Sequence, residues 1–213
     1  MLAVTGGKGG VGKTTTALGL AAALARGPGA RGGGEEPPDV LVVDADRDLP
    51  NLARTAGVDG RRVEQPASPL DPLPGRAIPD APGVRLLTVP SGRGAVERLL
   101  GALADRPERV VVDCPAGAGR PAARPLRTAD RSVVVSTLDP ASLRDAAKAE
   151  AMARALDAPP TATVLNLCDT STRPDRLLSG PFLAVPAVEE PLSDGRTRTR
   201  YEELSEIATL RNG

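Results

Sequence analysis

The sequence predicts an α/β fold in which a doubly wound, mostly parallel sheet carries helices on both faces. Three observations lead there. Apolar runs of strand length recur along the 213 residues and alternate with helical segments, a pattern that calls for crossover connections and a sheet covered on both sides. The runs are continuous in their apolar character, as strands buried on both faces are. The core must also be aliphatic, because Phe182 and Tyr201 are the only aromatic residues.

Taken in order, residues 2–4 form a first strand, 5–12 a glycine-rich loop and 14–26 an Ala/Leu-rich helix. Residues 27–38 (GPGARGGGEEPP) hold no periodicity and are expected to form a surface loop. The second strand covers 40–43 and ends at Asp44, and the proline-rich stretch 57–82 reads as irregular connection with room for one short helix. Further strands are expected at 84–89, 110–112, 133–137, 162–167 and 182–185, seven in all. Helices fall at 94–104 and 141–157, the latter with Asp139 as N-cap and Pro140 in its first turn. A last helix over 201–210 carries Leu204, Ile207 and Ala208 as its core stripe. With neither an internal repeat nor a linker, residues 1–213 are expected to be one domain.

Composition narrows the function. Basic and acidic residues number 27 each, so no whole-molecule field draws the chain to nucleic acid or anionic lipid. Cys114 and Cys168 are too few and too isolated for a disulfide framework or a Cys-x-x-Cys site. No run is long and apolar enough to span a bilayer, and the N-terminus lacks the form of a signal peptide, so a cytoplasmic location is expected. Nearly all basic residues are arginine; Lys8, Lys13 and Lys148 are the only lysines, and two of them lie in the glycine-rich loop, where a compact ammonium suits phosphate.

That loop carries the chemistry. Gly7 to Thr14 satisfies G-x-x-x-x-G-K-[ST] between a strand and a helix, the context this phosphate-binding pattern requires. Gly7, Gly9, Gly10, Val11 and Gly12 would curl their backbone N–H groups around phosphate oxygens, with Thr15 and the helix N-terminus adding to the cradle. Lys13 would reach the β- and γ-phosphates and the Thr14 hydroxyl would ligate Mg²⁺.

With Lys8 the loop reads KGGVGKT and resembles the deviant Walker A loop of the MinD/ParA family of P-loop ATPases. Two more motifs follow in the family's order: Asp44-Ala45-Asp46 with Leu49-Pro50-Asn51-Leu52, and Val110-Val111-Val112-Asp113-Cys114-Pro115-Ala116-Gly117. The resemblance implies a P-loop NTPase fold and ATP and Mg²⁺ as cofactors. It implies that Lys8 contacts phosphate across a dimer interface, that Asp44 and Asp113 hold the Mg²⁺ water shell, and that Asp46 orients the attacking water. Lys8, Lys13 and Asp46 are then the catalytic set. Residues 139–146 resemble a segment of the family's dimer face. Asn166 matches the residue that reads adenine, although a plain turn residue fits its place nearly as well, and Pro186-Ala187-Val188 resembles a base-contacting turn.

The function so implied is an ATP-dependent switch, a homodimer that positions or partitions a cargo and answers to a protein cargo or activator. A membrane-targeting helix beyond residues 201–210 is not expected, and so neither is stable membrane binding; nor is a helix-turn-helix extension expected before residue 1. Arg196, Arg198 and Arg200 beside Glu202 and Glu203 read as a solvated face, so specific DNA binding is not expected either. Two other functions suit the same core: an ATP-dependent biosynthetic enzyme of the amidoligase kind, and a regulatory nucleotide-binding module with little hydrolysis.

Overall fold

The computed structural model describes residues 1–27, 40–47, 49–58, 75–89, 92, 94–104, 106, 108–169 and 173–209. In chain order the elements are β1 (Leu2–Thr5), α1 (Lys13–Arg26), β2 (Val40–Asp44), α2 (Leu52–Thr55), β3 (Arg76–Ile78), β4 (Ala81–Thr88), α3 (Ala95–Ala104), β5 (Arg109–Asp113), α4 (Arg120–Leu126), β6 (Arg131–Ser136), α5 (Pro140–Ala155), β7 (Pro160–Asn166), β8 (Phe182–Val185) and α6 (Gly195–Thr209). The strands form one sheet in the order β3-β4-β2-β5-β1-β6-β7-β8. Every neighbouring pair is parallel except β3 with β4. The expected doubly wound sheet is therefore present.

Alternate residues of each strand enter opposite layers, as the pleat dictates. Val4, Val42, Val111 and Val133 pack with Leu20 and Leu24 of α1 and with Tyr201 and Leu204 of α6. Their neighbours Ala3, Leu41, Val43, Val110 and Val112 turn to the other face and meet Leu99, Leu100 and Leu103 of α3. Val134 and Leu165 pack with Leu143 and Ala146 of α5. Each fully buried leucine, such as Leu20 or Leu100, contributes about 2 kcal/mol through burial. Helices α1 and α6 touch closely, and a Cβ on Gly19 would stand 2.3 Å from the Tyr201 ring.

The structure corrects the sequence reading in three places. Eight strands are described instead of seven, because β3, inside the stretch expected to be irregular, pairs antiparallel with β4 through Arg76–Leu86, Ala77–Arg85 and Ile78–Ala81. Its signal in the sequence is faint: β3 has three residues, of which only Ile78 is buried. Residues 59–74 of that stretch, and 28–38 of the expected surface loop, lie outside the described residues. Helix α4 is absent from the expected elements, since Pro121 and Pro125 argue against helix; Pro121 sits in the first turn, where its missing N–H costs nothing, and the helix stops one residue after Pro125. Helix α6 begins at Gly195 and so includes the three arginines; its first turns bury Thr197 and carry no apolar stripe. Asp139 does cap α5, its carboxylate accepting from the Ser142 N–H at 2.9 Å. No helix among the described residues is long and apolar enough to cross a membrane.

Candidate nucleotide site

Parallel strands send their carboxyl ends to one edge of the sheet, and the loops leaving β1, β2, β5 and β6 converge there. Backbone hydrogen bonds lock three of them together. The Cys114 N–H donates to the Val4 carbonyl at 3.0 Å, the Ala45 N–H to Asp113 at 3.0 Å and the Gly117 N–H to Gly6 at 3.1 Å. The phosphate-loop pattern and the two aspartate motifs, more than a hundred residues apart along the chain at their extremes, are therefore one assembly.

The loop needs its glycines for space as well as for conformation. Gly12 has φ 91°, in the left-handed region, and a Cβ there would fall 1.8 Å from Asn166 Nδ2. A Cβ on Gly7 would fall 2.1 Å from the backbone of Asp145, so α5 rests directly on the loop. Helix α1 starts at Lys13 with no capping side chain and no acid in its first turn. Its first N–H groups and positive dipole end are thus left for an anion.

Lys13 is buried, at 8% exposed, and its ammonium donates to the Lys8 carbonyl at 3.0 Å. Burial lowers its pKa, against the opposing pull of Asp113 and Asp46. Lys8, in contrast, is 54% exposed, with Asp139 Oδ2 at 3.8 Å. Gly9 and Gly10 are exposed beside it, Val11 is buried, and Thr15 is half-buried on α1.

The Thr14 hydroxyl donates to Asp113 Oδ2 at 2.6 Å, while Asp113 Oδ1 is buried without a hydrogen-bond partner. Burial pushes the Asp113 carboxyl up to about 7, with the Thr14 hydroxyl pulling the other way. An orphaned carboxylate oxygen next to a hydroxyl is a hard donor pair that suits Mg²⁺, which takes one or two protein oxygens and completes its shell from water and phosphate. No cluster of three His, Cys, Asp or Glu ligands occurs among the described residues.

Asp44 stands in register with Asp113 on the neighbouring strand. Its Oδ1 accepts from the Asp46 N–H at 3.1 Å and its Oδ2 from the Leu52 N–H at 3.0 Å, so it pins both ends of the segment carrying Asp46. Burial raises its pKa to about 6. Asp46 accepts from the Leu49 N–H at 3.1 Å and is half-buried, close enough to Lys13 and Asp113 to influence both. On the far side, Asn166 Nδ2 donates to the Val11 carbonyl at 2.9 Å, tying the end of β7 to the loop. Pro186 is buried at the end of β8, beside that position.

Sequence reasoning misses three contacts. Asp145, in the 139–146 segment, underlies Gly7; Gly117, the last residue of the third motif, donates its N–H to the Gly6 carbonyl; and Arg47 donates from Nη1 to the Gly92 carbonyl at 2.7 Å, tethering the Asp46 segment to the loop after β4. No local pattern announces these contacts, since each joins distant stretches.

Residues 2–180 match the family described as the CobQ/CobB/MinD/ParA nucleotide binding domain. An uncharacterized ATP-binding protein of Methanocaldococcus jannaschii is 35% identical over 171 residues, covering 73% of this chain and 59% of its own length. The septum site-determining protein MinD of Synechocystis is 29% identical over 181 residues, covering 78% of this chain and 64% of its own. The chain thus spans about three-fifths of the length of these curated relatives. Among solved structures, MinD of Pyrococcus horikoshii complexed with Mg-ADP superposes with a TM-score of 0.75 at 18% identity, over 98% of this chain and 95% of that one. At that identity the likeness is one of fold.

Proposed function

The chain belongs to the CobQ/CobB/MinD/ParA nucleotide-binding family, and from that premise we propose that it is an ATPase switch that binds Mg-ATP and closes as a sandwich dimer. The single observation that carries the reading is the contrast between its two loop lysines. Lys13 is buried against its own loop, whereas Lys8 projects from the surface with one distant ion pair and is free to reach a second copy. In this reading Lys13 and the N-terminus of α1 hold the β- and γ-phosphates, and Thr14 and Asp113 hold Mg²⁺, with Asp44 in its water shell. Bound Mg²⁺ supplies charge neutralisation on the transferring phosphoryl group. Asp46 orients the attacking water, and Lys8 of the partner copy adds a cation at the same phosphate. Hydrolysis then opens the dimer, and the two states differ in affinity for a protein cargo or activator.

The choice of ATP over GTP follows from Asn166. One amide hydrogen is spent on the Val11 carbonyl, leaving an acceptor and a second donor for a base edge. Adenine offers a matching N6 donor and N7 acceptor, whereas guanine presents O6 as an acceptor in place of the N6 donor. Pro186, at the start of the next turn, would close the base site.

The test is sedimentation with a non-hydrolysable ATP analogue, paired with turnover, on wild type and Lys8→Ala. The variant should bind nucleotide as a monomer, fail to dimerise, and lose on the order of 10³-fold in hydrolysis, as loss of a cation acting across an interface does. A variant that dimerises and turns over normally would refute the reading.

A further inference from the structure

We infer that the groove between α1, α2, α6 and the β3–β4 turn is a second ligand site, shaped for a small amphiphilic anion: an aliphatic chain ending in a carboxylate. The inference goes beyond the nucleotide reading, since none of the residues assigned there lines this groove. The cavity measures about 700 Å³, a size that holds small molecules. Leu18 and Ala22 of α1, Ile78 of β3 and the ring of Tyr201 on α6 give it apolar walls. Leu192, one of the few large apolar residues exposed among those described, lines it as well.

Three arginines face the same cavity: Arg26 at the end of α1, Arg54 on α2 and Arg198 on α6. Most of their donors are unspent. Arg26 stands 3.6 Å from Glu202 Oε1, beyond hydrogen-bond distance, and its buried Nε has no partner. Arg54 donates to the neutral Asn51 side chain at 2.9 Å. Arg198 differs from its neighbours in the alternating set on α6. Arg196 pairs with Asp194 at 3.2 Å and Arg200 with Glu203 at 2.9 Å, whereas the Arg198 guanidinium has no hydrogen bond or ion pair among the described residues. It precedes Tyr201 by about one helical turn and so shares that residue's face of α6. Two acids also line the groove, Asp80 and Glu190, and the latter already accepts from the Ser193 hydroxyl at 3.0 Å. Three arginines against two acids leave the lining positive.

A ligand that answers this lining needs two parts. A carboxylate fills the planar fork of a guanidinium with two parallel hydrogen bonds. An aliphatic chain laid along Leu18, Ala22 and Ile78 takes that surface out of water. A bare anion would use only the arginines, and a neutral hydrocarbon only the walls.

The experiment is calorimetric titration of the full chain, without nucleotide, with decanoate below its micelle-forming concentration. Acetate, decyltrimethylammonium and hexaglutamate serve as comparisons. Decanoate should bind at a single site, and the other three should not bind at the same concentrations. Arg198→Ala should lose about tenfold in decanoate affinity, the effect of removing one charge-assisted pair. Ala22→Leu, which fills the apolar wall, should lose at least as much. Arg198 is exposed, so its replacement should unfold at the wild-type midpoint. Absence of decanoate binding, or unchanged affinity in folded Arg198→Ala, would overturn the inference. Equal binding of decyltrimethylammonium would mean plain apolar adsorption, and binding of hexaglutamate in place of decanoate would give the groove to an acidic protein segment; either result also overturns it. With nucleotide absent throughout, none of these outcomes bears on the nucleotide reading.

Discussion

Replacing Asp113 by Asn separates the energetic cost of the metal site from its use. Its carboxyl titrates at about 7 instead of 3.8 because it is buried. Between those values the folded protein keeps a proton that the unfolded chain has released. Stability referred to this group is therefore complete below the unfolded value, falls as pH rises toward 7, and stays low above it. Roughly three pH units at about 1.36 kcal/mol each set an upper bound of about 4 kcal/mol on the loss. Asparagine cannot ionise, yet its carbonyl can still accept from the Thr14 hydroxyl, which now bonds Asp113 Oδ2 at 2.6 Å. Without nucleotide, the variant should match wild type near about pH 4 and exceed it by up to about 4 kcal/mol near about pH 8. A shallower fall should persist in the variant, because Asp44 titrates at about 6 for the same reason. Urea unfolding followed by far-ultraviolet circular dichroism at both pH values reads the difference directly. Mg-ATP should then stabilise wild type and leave the variant nearly unmoved. Parallel stability curves for the two proteins would show that burial of this carboxylate does not cost what its surroundings imply.

Three further perturbations test other parts of the assembly. Lys13→Ala should abolish tight ATP binding in calorimetry, because it removes the cation that the loop itself holds in place. Asp46→Ala should keep nucleotide affinity, slow phosphate release in a coupled assay and accumulate dimer in sedimentation; full turnover would mean that another group orients the water. Gly19→Ala should destabilise the fold by about 1–3 kcal/mol in urea, since the added methyl would overlap the Tyr201 ring and force α1 and α6 apart. A wild-type unfolding midpoint in that variant would mean that the helices move apart without cost.

Several features are determined by the sequence alone because their causes are local. Continuous Val/Leu runs specify buried strands, glycines beside a Lys-Thr pair specify an anion cradle, and Asp139 followed by Pro140 specifies a helix start. Each works through contacts among near neighbours, so the doubly wound sheet and the phosphate loop are legible in the linear chain. The β3–β4 pair is not, because three residues of strand acquire their identity only from the partner they bond. Helix α4 is hidden by prolines that its first and last turns accommodate.

The site divides along the same line. Residue types and order point to Lys8, Lys13, Thr14, Asp44, Asp46 and Asp113, but only the tertiary structure decides what each one touches in the folded chain. Asp44 spends both oxygens on the backbone of its own switch segment, while Asp113 keeps one oxygen free and buried. No local pattern distinguishes the two, as both follow an apolar strand. Asp145 beneath Gly7, and Asn166 tied to the Val11 carbonyl, exist as features only because the sheet brings α5 and β7 against a loop near the start of the chain. Their meaning comes from desolvation and close approach across long stretches of sequence, which linear spacing does not encode.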